Sequence, residues 1–377
     1  MVKQQKHYDW ILIGVTFFLG IFGLMMVYSA SFPLGIDIAD NPAYFFTRQV
    51  IWFIIGAGVF FTALHFPYTY YQKLTPFIVG TCILLLLAVI VVGTEVNGAR
   101  RWLSFGPFQL QPSEFVKIAV IIYLANVYSK KQHYITHFVR GVLPPLIVVV
   151  FMFGLIMMQP DLGTGLMVLL IGGMIIFLAG AKWSHLVSLA VLGGGVAVFL
   201  AMQAPYRIQR LVAFRDPFEW EAEGSGHQLI QSYIAIANGG VTGNGLGQSV
   251  QKMHYLPEPH TDFIFAVIAE ELGILGLLFI VGCFAVIALR GFAIGRSSRD
   301  AFGKLLAFGI VFFLLTQALF NLAAATGLMP ITGITLPLVS YGGSSLLVCM
   351  LCLGILTNIS KTTKKLLKEE RVQSMQG

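Results

Sequence analysis

Long apolar runs separated by short polar breaks recur along the whole chain. A transmembrane helix needs about 20 predominantly apolar residues, and we count ten runs of that kind. The predicted spans lie near residues 10–31, 48–66, 76–94, 113–129, 141–158, 162–180, 184–202, 262–289, 305–326 and 340–359. The pattern therefore predicts an all-α integral membrane protein with ten transmembrane helices in a single polytopic domain, residues 1–377.

Composition and charge agree with this class and indicate an orientation. Of the 377 residues, 57% are hydrophobic and 11% are charged, and the mean hydropathy is +0.81. The first run has no convincing cleavage site, so we interpret it as a retained helix and not as a signal peptide. An even number of spans places both termini on one side. A cytoplasmic N-terminus leaves most of the 24 basic residues in cytoplasmic segments, including the basic tail at 360–377. The net charge of +7 is then a topology signal, and nucleic-acid binding has no support.

Two connections on the predicted outer face are candidates for carrying function: the large segment 203–260 between helices 7 and 8, and the smaller segment 95–112. Apolar residues recur at helical spacing from Leu229 to Ala237, which predicts a short amphipathic helix that ends at Gly239. The glycine-rich stretch at 242–247 does not follow a strand and has no Gly-Lys-Ser/Thr after it. We therefore interpret it as a flexible turn and not as a nucleotide loop.

Charged and sulfur-containing side chains inside the spans have structural as well as functional interpretations. Glu114 and Lys117 are three residues apart, so on a helix they share a face and can pair, either to permit burial or to act in catalysis. Asp161 is placed to cap the sixth span. Cys349 and Cys352 have no further ligands nearby in sequence, so packing is the better interpretation.

Asp262 stands at the mouth of the eighth span, where an ionisable side chain is a candidate for function. A helix N-cap is the structural alternative, because a Pro257-Glu258-Pro259 break precedes it and an apolar helix follows. Its neighbours His260 and Glu258, together with basic residues on other loops, favour a site for an anionic ligand at the outer leaflet.

Four motifs, in the same order along the chain, resemble the SEDS (shape, elongation, division and sporulation) family of bacterial peptidoglycan glycosyltransferases. They are the segment 256–273 around Asp262, the segments 97–102 and 111–117, the turn at 159–164, and the C-terminal signature between 321 and 345. The match covers nearly the whole chain. Within the family, residues 96–99 and 251–258 are more similar to the division and sporulation branches than to the elongation branch.

The resemblance implies polymerisation of lipid II, an undecaprenyl-pyrophosphate-linked disaccharide-pentapeptide, on the outer face of the cell membrane at the division septum. The implied catalytic residues are Asp262, as the general base of an inverting displacement, with Glu114 and Lys117 shaping or polarising the cavity. The candidate substrate-binding residues are Arg100, Arg101, Trp102, Arg207, Arg210, His260 and Ser344. Arginine suits the pyrophosphate leaving group, with or without a divalent cation such as Mg or Mn, and no metal-ligand set is predicted.

The family also implies partners: a class B penicillin-binding protein that crosslinks the new strand, other division proteins, and membrane lipids. Two other functions remain open from the sequence. A lipid II flippase would use the same intramembrane charges and broken helices. A scaffold without chemistry would tolerate replacement of the polar motif residues.

Overall fold

A computed structural model of the protein describes residues 8–96, 98–106, 108–131, 135–202, 212–219 and 224–374. Its long helices, numbered in chain order, are α1 (Trp10–Ala39), α2 (Tyr44–His65), α3 (Thr69–Val92), α4 (Pro112–Lys130), α5 (Leu143–Met157), α6 (Leu162–Leu178), α7 (Trp183–Met202), α8 (Gly224–Gly239), α9 (Ile264–Ser297), α10 (Ala301–Ala325) and α11 (Gly343–Ser374). A π-helical turn, Phe138–Val142, leads into α5.

Each of the ten predicted spans coincides with a helix. Among the described residues, seven helices are long and apolar enough to cross a membrane: α1, α2, α3, α5 with its π turn, α9, α10 and α11. The other three predicted spans are α4, which carries Glu114 and Lys117, the 17-residue α6, and α7. The protein is thus a multi-pass membrane protein, and ten crossings stay a prediction.

The helices form a bundle with α10 and α11 at its centre. Of the 18 most apolar consecutive residues in each helix, 89% are buried in α11 and 67% in α10, but only 22% in α3, which lies at the periphery. The start of α1 lies beside the C-terminal parts of α9 and α11, because Arg290 reaches Asp9 and Lys364 reaches the Tyr8 carbonyl. We call the opposite end of the bundle the outer end, following the predicted topology.

The fold is mostly helical, as predicted, but the chain between α3 and α4 contains strands that the all-α prediction did not include. Three short antiparallel strands, β1 (Thr94–Val96), β2 (Ala99–Phe105) and β3 (Phe108–Leu110), form a small sheet in the order β1-β2-β3. Strands β1 and β3 have only three residues each, which is too short to show a strand periodicity in the sequence. The sheet packs at the outer end, where Phe108 meets Trp52 of α2 edge to face.

The chain between α10 and α11, residues 326–342, is not helical but is packed among the helices. The carbonyl of Leu338 lies 2.5 Å from the position that a Cβ on Gly23 of α1 would take. The carbonyl of Thr332 is equally close to the same position on Gly163 of α6. Glycine at both places lets this segment approach the helix backbones, and it thereby enters the interior of the bundle.

Helix α9 is broken at Gly273, whose φ of 63° and ψ of −159° are not helical. The glycine-rich turn after α8 fills the break. Asn244 N and Gly245 N donate to the carbonyls of Glu270 and Glu271 (3.0 and 2.9 Å), while Ile274 N donates to Gly240 O (3.1 Å). The turn was predicted correctly, but hydrogen bonds hold it firmly, contrary to the expectation of flexibility.

This close approach generates a test. Gly243 and Gly247 both have positive φ, 76° and 81°, but a Cβ on Gly243 would lie 2.2 Å from Glu271 O, whereas nothing lies within 4 Å of one on Gly247. Gly247→Ala should cost about 1 kcal/mol from backbone strain alone. Gly243→Ala adds a backbone clash and should cost about 3 kcal/mol. Thermal unfolding in detergent measures both, and equal losses would contradict this packing.

Candidate active site

Asp262 lies at the outer end, two residues before α9 begins, and is half-buried. The N-cap of α9 is Phe263, one residue after the position that the capping interpretation requires. The backbone on both sides of the aspartate is fixed: Asn321 Nδ2 donates to Asp262 O (2.9 Å), and Ser340 Oγ donates to Thr261 O (2.6 Å). Its Oδ2 lies 3.6 Å from the position of a Cβ on Gly333, so the carboxylate stands over the non-helical 326–342 segment.

His260 is buried beside Asp262, only 3% exposed, with its ring 4.5 Å from Phe45 and 5.3 Å from Tyr341 between ring centroids. Tyr341 N donates to His260 O (2.9 Å), which anchors the turn again. Burial lowers the pKa of His260 to about 4, against an opposing effect of Glu258. His260 is therefore neutral near pH 7, and its Nδ1 has no hydrogen-bond partner among the described residues.

The predicted pair in α4 is confirmed. Lys117 Nζ lies 2.7 Å from Glu114 Oε1, and both side chains are buried. Lys117 also donates to Gln317 Oε1 of α10 (3.0 Å), and Gln317 Nε2 donates to Ser345 Oγ at the start of α11 (3.0 Å). Gln317 was not singled out in the sequence, because 200 residues separate it from Lys117.

Asp161, Arg101 and Ser344 meet at a third group of contacts. Asp161 caps α6 as predicted, accepting from Thr164 N (3.2 Å). Arg101 donates through Nε to Gln159 O (3.1 Å), contacts Pro160 O, and lies 3.9 Å from Asp161. Ser344 Oγ accepts from Gln111 N (2.9 Å). The guanidinium of Arg101 is thus already engaged by the 159–161 turn.

The remaining substrate-binding candidates fall in different places. Arg100 is exposed on β2 and lies 3.5 Å from Glu95, and Trp102 is half-buried on the same strand. Arg207 and Arg210 lie outside the described residues. Sequence reasoning passed over Arg48, whose guanidinium lies 4.3 Å from the centre of the Tyr44 ring and interacts electrostatically with Tyr341. Arg48 therefore adds a positive charge beside the His260 group.

The 340–345 segment joins these groups. Ser340 contacts the Asp262 turn, Ser344 contacts the start of α4, and Ser345 contacts the Gln317 side chain that holds Lys117. Gln49 of α2 braces the segment by donating to Ser340 O (3.2 Å). The backbone around the half-buried Asp262 and the buried ion pair consequently belong to one hydrogen-bonded framework.

Comparison with known proteins shows which family this chain resembles. A family model described as cell cycle protein, FtsW/RodA/SpoVE, matches residues 9–365. "Probable peptidoglycan glycosyltransferase FtsW" of Bacillus subtilis (strain 168) is 43% identical over 376 residues, covering 96% of this chain and 93% of the relative. "Stage V sporulation protein E" of the same organism is 41% identical over 366 residues, with 97% and 100% covered.

Solved structures of similar proteins have the same overall fold as this chain. The crystal structure of Thermus thermophilus rod shape determining protein RodA superposes with a TM-score of 0.69 at 28% identity, covering 94% of this chain and 96% of that one. A structure described as "Structural coordination of polymerization and crosslinking by a peptidoglycan synthase complex" has a TM-score of 0.77 at 29% identity, with 94% and 98% covered.

The two adjacent arginines of β2 should behave differently on substitution. Arg101→Ala leaves two carbonyls and the buried Asp161 without their cation, and should lower the free energy of unfolding by about 2 kcal/mol. Arg100→Ala removes only an exposed ion pair and should change it by less than about 1 kcal/mol. Thermal unfolding of both variants tests this, and a neutral Arg101→Ala would show that its contacts do not stabilise the turn.

The lowered pKa of His260 predicts how stability depends on pH. The unfolded chain, with a histidine pKa near 6.5, binds this proton more tightly than the folded state does. Stability is therefore lost as pH falls from about 6.5 towards 4. His260→Phe keeps a ring and removes the titration, so the variant should gain about 2 kcal/mol relative to wild type between pH 7.5 and 4.5. Unfolding measured at both values checks this, and an unchanged difference contradicts a neutral buried His260.

Proposed function

Since the chain belongs to the FtsW/RodA/SpoVE family of cell cycle proteins, we propose that it is a peptidoglycan glycosyltransferase that polymerises lipid II. In this proposal the protein acts at the outer face of the cell membrane, during cell division. The observation that carries the proposal is Asp262, a half-buried carboxylate at the outer end. The side chains of Asn321 and Ser340 hold the backbone carbonyls of Asp262 and Thr261, and the same framework reaches the buried Glu114–Lys117 pair. Ionisable groups kept at membrane depth are usually functional.

The proposed reaction is a single inverting displacement. The 4-hydroxyl oxygen of the acceptor's GlcNAc attacks C1 of the donor's MurNAc, and the bond from C1 to the pyrophosphate oxygen breaks. Undecaprenyl pyrophosphate leaves with the bonding electrons, and the hydroxyl proton passes to the Asp262 carboxylate. One displacement turns the α-linked donor into a β-linkage, so one general base suffices and no covalent intermediate is needed.

In this proposal Glu114 and Lys117 contribute from the interior of the bundle. Their buried charges are linked through Gln317 to Ser345 and Thr335 under the Asp262 turn. A fixed pair of charges in a low-dielectric interior polarises its surroundings more strongly than it would in water. We assign the pair to shaping and polarising the cavity, while Ser344 and His260 hold its wall.

The leaving pyrophosphate needs positive charge. Arg100 is exposed and available, and Arg48 lies at the His260 side of the site. Arg207 and Arg210 are further candidates, and Trp102 supplies an aromatic face next to Arg100. Among the described residues, no three His, Cys, Asp or Glu side chains lie together as a metal site requires. A divalent cation would therefore be held mainly by the substrate's own phosphates, as Mg²⁺ commonly is.

A partner follows from the structural likeness, since one similar structure is described as a peptidoglycan synthase complex that coordinates polymerization and crosslinking. We propose that this chain likewise works with a class B penicillin-binding protein, at the division septum and together with other division proteins. The basic residues of α11 beyond 360 would contact anionic lipid on the cytoplasmic face.

The function is tested with purified protein, its cognate transpeptidase and lipid II. Asp262→Asn keeps the size of the side chain and removes the base, so glycan synthesis should fall by about 100-fold or more with the melting temperature unchanged. Glu258→Gln is the matched control, because Glu258 is an exposed acid in the same turn. It should retain at least about half the activity.

The same assay separates the alternatives. A wild-type protein that moves lipid II across vesicle membranes and forms no glycan would be a flippase, for which the broken α9 and the non-helical 326–342 segment are also suited. An Asp262→Asn protein that polymerises at the wild-type rate would show that another group takes the proton.

A further inference from the structure

Two adjacent acids precede the break in α9, and neither has a role in the chemistry above. Glu270 and Glu271 are both completely buried. Their carbonyls accept from the glycine-rich turn, as described, and their side chains reach the next part of the same outer segment, residues 249–252. At the break, α9 is therefore bonded to residues 249–252, which lead into the Asp262 turn.

The Glu270 side chain binds residues 249–251, mainly at their backbone amides. Its carboxylate accepts from Ser249 Oγ (2.5 Å), Val250 N (3.1 Å) and Gln251 N (3.3 Å). A carboxylate with three donors is well satisfied in a buried place. Glu270 thus fixes where residues 249–251 cross the helix.

Glu271 forms a buried triad with Lys252 and Ser29 of α1. Lys252 Nζ donates to Glu271 Oε1 (2.8 Å) and to Ser29 Oγ (3.0 Å), and Ser29 Oγ donates to the Glu271 carboxylate (2.6 Å to Oε1). Lys252 is only 6% exposed, although it belongs to the predicted outer segment 203–260. Three separate parts of the chain meet at this one contact.

The triad closes a loop around the start of α9. Residues 253–263 run from the anchored Lys252 to the first turn of the helix, and Asp262 lies in this stretch. Within it, Leu256 N donates to Gln251 O (2.8 Å) and Phe263 N to Glu258 O (3.4 Å). The turn is therefore held from two sides, by the anchored Lys252 at its start and by the bonds of Asn321 and Ser340 to residues 261–262 at its end.

A buried ion pair is a weak source of stability, because two charges must lose their hydration to form it. Apolar or neutral side chains of similar size would satisfy packing equally well, whereas only matched charged groups specify which atoms meet. We propose that Ser29, Lys252 and Glu271 are positioning residues that hold the 253–263 turn, and with it Asp262, in its reactive place over the 326–342 segment. The link to catalysis rests on the proposed function of Asp262.

The test compares single and double substitutions in the full-length protein. Lys252→Met and Glu271→Gln each leave one buried charge without its partner, and each should lower the melting temperature by roughly 10 °C. The double variant K252M/E271Q removes both charges and should melt within roughly 3 °C of wild type. D9N/R290M is the matched control, since it neutralises another ion pair at the opposite end of the bundle.

The position of the turn is read by hydrogen exchange of backbone amides without substrate. In K252M/E271Q, amides of residues 253–263 should exchange about tenfold faster than in wild type, despite the recovered melting temperature. The control should leave them unchanged. Unaltered exchange in K252M/E271Q overturns the proposal. This readout needs no activity, so a protein that forms no glycan would refute the proposed function and not this inference.

Kinetics supply the second readout. K252M/E271Q should lose about tenfold or more in kcat per folded molecule, with KM within about twofold, because the base is displaced while the lipid II contacts remain. A wild-type kcat, or a loss explained by the folded fraction alone, overturns the positioning role. If the double variant does not fold, Ser29→Ala decides, since it loosens the triad and keeps the ion pair. A kcat reduced by about threefold supports the proposal, and an unchanged kcat overturns it.

Discussion

Polar backbone inside a membrane bundle has to find its hydrogen-bond partners within the protein, because hydrocarbon offers none. The 326–342 segment brings such backbone into the interior, and side chains of α10 hydrogen-bond two of its carbonyls. Gln317 donates to Thr335 O (3.1 Å), and Asn321 donates to Ile334 O (2.9 Å). The same two amides reach Lys117 and the Asp262 carbonyl. Satisfying the segment therefore also sets the distance between the buried charges and the outer carboxylate.

Buried charges recur where separate elements join. Lys117 and Glu114 meet Gln317 of α10, Lys252 and Glu271 meet Ser29 of α1, and Arg290 ties α9 to Asp9 at the start of α1. Such pairs contribute little net stability but allow few alternative arrangements. In a membrane, burial of apolar surface favours one helix arrangement only weakly, because lipid is apolar as well, so these polar contacts help to define the register of the helices.

Local patterns predicted well what depends on neighbouring residues. Apolar runs predicted ten of the eleven long helices in the described part of the chain, the spacing of Glu114 and Lys117 predicted their pairing, and the position of Asp161 predicted its role as a cap. The amphipathic stretch at 229–237 is α8. These features arise within one or two helical turns, and a single sequence contains that information.

Contacts between distant parts of the chain were not predictable in this way. Nothing near Lys252 indicates burial, since its partner Ser29 is 223 residues away. Arg101 is a residue type that often binds phosphate, yet its guanidinium hydrogen-bonds the 159–161 turn. Two strands of the sheet at 94–110 have only three residues, too few for a periodic signal. The cap of α9 is Phe263, and not Asp262 as the sequence allowed. Family resemblance, and not pattern alone, identified Asp262.

The central claim is that an ionised Asp262 takes the proton of the attacking hydroxyl. The dependence of kcat/KM on pH for lipid II polymerisation tests it most directly. The account predicts that the wild-type rate falls with unit slope on the acid side, and that the residual activity of Asp262→Asn lacks this acid limb. An acid limb that persists unchanged in the variant would contradict the account, because the ionisation would then belong to another group.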